Sequence, residues 1–312
     1  MKQFRLRNAI ARRDQTGAAL LIIIIGMVVL ATLGIAMYTL TYTANMNQVI
    51  AQRAARASYL SESGIRIAAS EYNAATLKNA KLVELHNKQF TMPDNVGKIT
   101  IQSNPYWFYA NANISSLSNP ITLYLPGGVP PADETNTALT FPTKGYLKVR
   151  DVRTIPWINV TFVEYDNSAH GGVSPGTFVS TPNGGTPVTF YLTSPFADDI
   201  VIGDEFYIGN ASYTTVTAPS GAGGNLTLNY TDINTAKLFP SQKGSIFVIK
   251  NGISYYKYDM RIISTTANTV KLVNMQPISG APTPNWQLNL LSGDQVYVGR
   301  VIGFTSNGTF GD

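Results

Sequence analysis

The pattern of apolar and polar positions changes character twice along the chain. From Ala18 to Tyr42 it runs for 25 residues without a charge, apolar on every side of a helical wheel. About 20 such residues, rising ~1.5 Å each, cross the ~30 Å hydrocarbon core of a bilayer. A secretory signal has an apolar stretch of about 7–15 residues, and a core helix of a soluble domain keeps a polar face. The run therefore predicts a membrane-spanning helix. Over 43–75, apolar and small residues recur at Met46, Ile50, Ala54, Ala57, Leu60, Gly64 and Ile67. Spacing of three and four is one stripe of an amphipathic helix, and Arg53, Arg56, Glu62 and Arg66 fall mostly off it. Alanine and glycine in the stripe let another element approach closely. One helix over Ala18–Asn73 would measure about 80–85 Å, half in lipid and half beyond it.

The second change comes at Pro93. All 17 prolines lie at or after it, with 22 of the 26 glycines. Proline removes a helix donor and clashes with the preceding turn, so 18–92 can hold a long helix and 93–312 cannot. A polar transition, "LKNAKLVELHNKQFTMPDN", joins the two textures and is expected to expose His86. Beyond it, "KITIQS", "ITLYL", "GYLKVR", "INVTFVEY", "GTFVST", "PVTFYL" and "NLTLNY" alternate β-branched or aromatic residues with polar ones between turn formers. These are strands by period and composition, and roughly twelve to sixteen fit. The expected fold class is α+β: a long N-terminal helix, then a large, predominantly antiparallel β head in two β-rich parts, 76–195 and 196–312.

A short pattern echoes within the head. "GDEFYIG" (Gly203–Gly209), "GSIFVIKNG" (Gly244–Gly252) and "GDQVYVG" (Gly293–Gly299) each place a small or polar residue after a glycine, then an alternating strand. The intervals, 41 and 49 residues, are unequal. The echo fits either ordinary hairpin grammar or related units of a meander or small barrel.

Charge sharpens the topology. Residues 1–17 carry Lys2, Arg5, Arg7, Arg12 and Arg13 against Asp14, while the other 295 residues hold 18 basic and 17 acidic side chains. The head thus has no basic surplus for nucleic acid. A basic leader before an apolar run places the N-terminus in the cytoplasm and the head across the membrane. The absence of cysteine excludes disulfides and cysteine-ligated metal or haem sites.

The sequence "RRDQTGAALLIIIIG" followed by "RASYLSESGIRIAASEYN" resembles the type IV pilin and pseudopilin superfamily, closest to the PilX-like minor pilins. The resemblance covers residues 12–75. It implies a leader of residues 1–17, prepilin peptidase cleavage between Gly17 and Ala18, and methylation of the new terminus. It also implies other pilin subunits as partners through the helix, residence in the bacterial inner membrane before assembly, and later a place in the pilus or at the cell surface. The fifth mature residue, usually glutamate in the family, is here Ile22. That departure points to a low-copy subunit at the start or tip of a filament, with the head free for a surface or secreted partner. Two alternatives remain: an anchor never cut at Gly17, and cleavage after "GIA", Gly34–Ala36. The rival function is a bitopic envelope protein with a β-rich binding domain that never polymerises.

Candidate chemistry is sparse. His170 lies near Glu164 and Asp166 in "EYDNSAHGGVSPG", a grouping suited to acid–base work or a metal, and equally to a surface loop. Asp198, Asp199, Asp204 and Glu205 in "FADDIVIGDEFY" are candidate calcium ligands, without EF-hand spacing. Nucleotide-binding and hydrolase motifs are absent from the sequence. No catalytic residue or cofactor is assigned, and the expectation is a structural protein rather than an enzyme.

Overall fold

The computed structural model describes residues 3–93, 96–129, 140–150, 162–180, 183–209, 211–214, 223–249, 253–278, 287–288, 290–299 and 302–310. The chain divides into two units, 1–59 with 309–312, and 60–308. The first unit holds most of helix α1 (Gln3–Ala74), which therefore starts well before Ala18 and includes the leader. Every described side chain from 17 to 56 is exposed, as expected of a helix whose solvent is lipid. Its hydroxyls are satisfied internally: Thr32 donates to Val29 O at 2.9 Å, and Thr39, Thr41 and Thr43 likewise reach carbonyls one turn back. An unsatisfied hydroxyl in hydrocarbon would be costly.

In the second unit α1 ends at Ala74, where Lys78 Nζ donates to the carbonyls of Tyr72 and Asn73, 2.7 Å each. These are terminal carbonyls without a helical partner. The transition segment is more than a connector. It folds into α2 (Lys78–Leu85), which buries Leu82, Val83 and Leu85, and β1 (Lys88–Thr91). Left-handed Asn87, at φ 59°, separates them. β2 (Gly97–Pro105), β3 (Phe108–Tyr109), β4 (Ile121–Leu125), β5 (Lys144–Arg150), β6 (Phe162–Asp166) and β7 (Thr186–Phe190) follow. Next come β8 (Glu205–Gly209), β9 (Ala211–Tyr213), β10 (Gly224–Tyr230), the short helix α3 (Ile233–Leu238), β11 (Ser245–Ile249) and β12 (Ile253–Lys257). The chain closes with β13 (Met260–Ser264), β14 (Thr269–Pro277), β15 (Gln295–Val298) and β16 (Ile302–Phe310).

The strands form three sheets, and apart from β2 with β16 the strand pairings are antiparallel among the described residues. A six-stranded sheet runs β6–β5–β8–β3–β4–β7. Its ends join through Asp166 N–H to Tyr191 O and Thr193 N–H to Glu164 O, 2.9 Å each, which closes a ring. A second sheet runs β10–β9–β15–β11–β12–β14–β13, and β10 also pairs with β14, closing a second ring. Closure removes sheet edges that would otherwise invite pairing. α3 lies against the second ring with Ala236 and Leu238 buried; Arg261 Nη1 donates to the carbonyls of Ala236, Lys237 and Phe239 at its C-terminal end. The interiors of both rings, from Phe108 to Val298, form one apolar cluster. The third sheet, β1–β2–β16, is small and open.

The α+β expectation holds in its coarse form: a long apolar helix followed by a large antiparallel β region. Because β8 pairs with β3 and β5, the first ring extends past the expected 195/196 boundary. Among the described residues "GTFVST" forms isolated bridges rather than a strand, such as Val179 with Gly185, and part of "INVTFVEY" lies outside the described residues. Three long loops of low charge, "LPGGVPPADETNT", "APSGAGGN" and "PISGAPTPN", lie largely outside them too.

Candidate functional site: the apolar helix and its seat on the head

Two features of α1 carry functional meaning, one in each unit. In the first, Gly17 has nothing within 4 Å of where a Cβ would stand. Ala18 is exposed and Ile22 is 70% exposed. From Leu20 to Leu40 large aliphatic side chains face outward around the whole helix. The stretch is long and apolar enough to cross a membrane. Tyr38 and Tyr42 stack at 6.4 Å near its end, where amphipathic rings favour the lipid–water boundary.

In the second unit, the last turns of α1 are seated on the open sheet. Gly64 and Ala68 are buried, with Leu60, Ile67 and Tyr72 partly so. Ala68, Leu85, Ile99 and Ile101 share one cluster with Leu60, Tyr72, Phe90 and Phe304 around it. A Cβ on Gly64 would stand 2.5 Å from Ile99 Cγ2 and closer still to Ser306, so β2 and β16 approach the helix where the side chain is missing. The Ser61 hydroxyl donates to the Ser306 carbonyl. In the second unit the stripe positions Leu60, Gly64 and Ile67 are partly or fully buried; in the first unit Met46, Ile50 and Ala54 are exposed.

Behind that seat lies an aromatic junction that the sequence reading missed. Trp107, Tyr207, Phe247, Tyr297 and Leu82 are buried together, with Tyr72 and Phe304 at the margin. They come from α2, the link between β2 and β3, both rings, the last turns of α1 and β16. Tyr207 meets Phe247 edge-on at 5.0 Å, and Phe247 stacks on Tyr297 at 5.2 Å. These are the three strands of the sequence echo. Their alternate residues, Phe206, Ile208, Ile246, Val248, Val296 and Val298, fill the ring interiors, so β8, β11 and β15 are buried on both faces. The echo marks the strands at the junction, one in the first ring and two neighbours in the second.

Lys148 enters this junction from β5. It is fully buried, its Nζ 4.6 Å from the Phe247 ring centre, and burial pushes its pKa down to about 7. Glu205 accepts from Tyr207 OH at 2.8 Å.

The sequence-selected polar residues are dispersed. His170 stacks on Tyr191 at 3.5 Å. Asp166 instead pairs with Lys144 at 2.8 Å and accepts from Ser168 N–H, which together hold its carboxyl well below the usual range. Glu164 lies beside Thr193. Asp199 accepts from Ser116 N–H, Asp204 from Val201 N–H, and Asp198 is exposed. Among the described residues no three carboxylate or histidine side chains converge as a metal site. His86, expected to be exposed, is half-buried against Phe178, and its Nδ1 accepts from Gly128 N–H at 3.0 Å. Burial lowers its pKa, opposed by the Ser103 backbone. No family model, curated protein or solved structure matches the chain.

Proposed function

We propose that this protein is a minor, low-copy subunit of a type IV pilus or a related secretion filament. In this reading it is processed between Gly17 and Ala18 and placed at the start or tip. The observation that carries the reading is the apolar run of α1, exposed around its full circumference, directly after a basic leader and the Gly17–Ala18 junction. A helix of that kind needs either lipid or like helices around it. Removal of the leader discards its net positive charge and leaves a segment able to leave the bilayer for a bundle of equivalent helices. The seating of Gly64 and Ala68 on the β1–β2–β16 sheet supports the same reading, because it ties the amphipathic half of the helix to the head. The exposed stripe at Met46, Ile50 and Ala54 is then left for neighbouring subunits.

Ile22 gives the chain no carboxylate to neutralise a neighbour's terminal amine, and an unpaired charge in an apolar setting is expensive. A subunit at an end is spared that penalty as a donor of the carboxylate. The head, two closed β rings, serves as the part that meets a partner or surface.

The test is the N-terminus of the purified protein, read by mass spectrometry from cells with and without active prepilin peptidase. A start at Ala18 that depends on the peptidase is expected. An intact Met1 in both strains rejects the reading in favour of a permanent single-span anchor carrying the β head. A start at Met37 rejects it in favour of a secreted head.

A further inference from the structure

The His86 ring ties together several separate stretches of the head. Its own backbone caps α2, donating N–H to Leu82 O at 3.1 Å. The ring lies between the end of β2, the glycine pair that follows β4, and Phe178, whose ring centre is 4.7 Å away. Nδ1 accepts from Gly128 N–H at 3.0 Å and, more weakly, from Ser103 N–H at 3.4 Å. With two donors aimed at it, Nδ1 holds a lone pair, which places the ring proton on Nε2.

Gly127 and Gly128 lie flat in this seat. A Cβ on Gly127 would collide with Ser103, and one on Gly128 with the imidazole itself. Gly128 N–H divides its bond between His86 Nδ1 and Ser103 O, 3.0 Å each. The Gly127 carbonyl accepts from the buried Thr186 hydroxyl at 3.1 Å, and Ser103 Oγ donates to Leu82 O at 2.9 Å. Of these polar groups only the imidazole changes from acceptor to donor within ordinary pH.

Among the described residues no carboxylate pairs with His86. Glu84 and Lys88, on either side of it in the chain, bond each other at 2.6 Å, and Glu84 also bonds Lys81 at 2.6 Å. Residues 102–105, 126–129, 176–180 and 186–187, which line or adjoin the ring's seat, contain no titratable side chain. Burial therefore opposes a charge on the ring, and the Ser103 backbone alone favours it.

We propose that His86 is an acid-operated latch within the head. Neutral, it holds Gly127 and Gly128 against the end of β2. Charged, it donates Nδ1–H to the Ser103 carbonyl, and Gly128 N–H, which now faces a donor where it had an acceptor, is released. An unmade bond at a buried donor is costly, so the glycine pair moves out toward water rather than staying in place. The latch lies wholly within residues 60–308 and does not depend on how α1 is processed.

The test follows the full chain in detergent by NMR from pH 7.5 to 4.5. The nitrogen-15 shifts of the His86 ring should show the Nε2–H tautomer at pH 7.5. Protection of the Gly128 amide, corrected for intrinsic exchange, should fall by about tenfold per pH unit below 6.5 and level off once the held ring is itself charged. Amides of the β10–β14 ladder should keep their protection. In His86→Gln, which retains an acceptor and has no proton to gain, protection of Gly128 should stay level. An Nδ1–H tautomer at pH 7.5, or constant Gly128 protection while the ring titrates, overturns the latch. A loss shared by the ladder amides, or the same loss in His86→Gln, overturns it too, because the opening then has another origin. So does a ring that stays neutral down to pH 4.5.

Discussion

Lys148 Nζ sits 4.6 Å above the centre of the Phe247 ring, joining a strand of the first β ring to one of the second. The ring face offers a cation some attraction, but burial dominates and holds the lysine pKa at about 7 rather than 10.5. The sign follows from proton counting. Between pH 7 and 10.5 the unfolded chain keeps this proton and the folded chain has released it, so stability rises with pH across that window.

Lys148→Met removes the titration. The variant is expected to lose that pH slope, and its melting temperature relative to the parent should be most favourable at or below pH 7. The difference should shrink toward pH 10. The parent's shortfall at pH 7 relative to pH 10 should be on the order of a few kcal/mol. Parallel pH slopes for the two proteins would show that Lys148 stays charged in the fold.

Gly64 is the point where α1 can lie on the sheet. Gly64→Val would drive a side chain into Ile99 and Ser306, and overpacking of this kind costs about 1–3 kcal/mol. Gly34→Val, where nothing lies within 4 Å, is the matched control. Urea unfolding of the head should report a loss for Gly64→Val alone; equal behaviour of the two variants would mean that the helix is not seated there.

The period of the amphipathic half of α1 located that seat from sequence because Leu60, Gly64 and Ile67 repeat every three or four residues against a single surface. The strands were legible for the same reason: "ITLYL" and "NLTLNY" have one buried and one exposed face, and alternation records it. The junction was not legible. β8 is buried on both faces, so the alternation in "EFYIG" marks no solvent-facing side, and the same sequence would suit any interior strand. Lys148 was hidden in "GYLKVR" because a lysine at an alternate position reads as solvent-facing. Closure of the rings depends on pairings between residues far apart in sequence, such as Leu228 with Val270, which no local pattern encodes. His86 was misread because its polar flanks concealed the burial of Leu82 and Leu85 beside it.

His86 acts with the same sign as Lys148 but in a lower pH window. Its folded pKa lies below 6.5 because it is buried, so above 6.5 it adds no penalty. As pH falls through 6.5 the unfolded chain takes up a proton that the folded ring resists, and stability declines toward the folded value. His86→Gln keeps an acceptor for Gly128 N–H without the titration. Its melting temperature should fall less steeply than the parent's between pH 7 and 5. An unchanged slope would show that His86 does not carry the acid sensitivity in this range; Asp166, whose pKa is lowered from its usual value, acts only at more acidic pH.

Gly17→Ala separates processing from folding. No atom lies within 4 Å of the added methyl, and alanine is the better helix former by about 1 kcal/mol, so head stability should be unchanged. In the proposed reading the variant keeps residues 1–17, runs at the mass of the uncut chain, and stays in the inner membrane because the leader's charge cannot cross it. The readouts are intact mass and fractionation between membrane and sheared filaments. Normal incorporation of the uncut variant would detach the Gly17–Ala18 junction from assembly, and the apolar helix would then be an anchor alone.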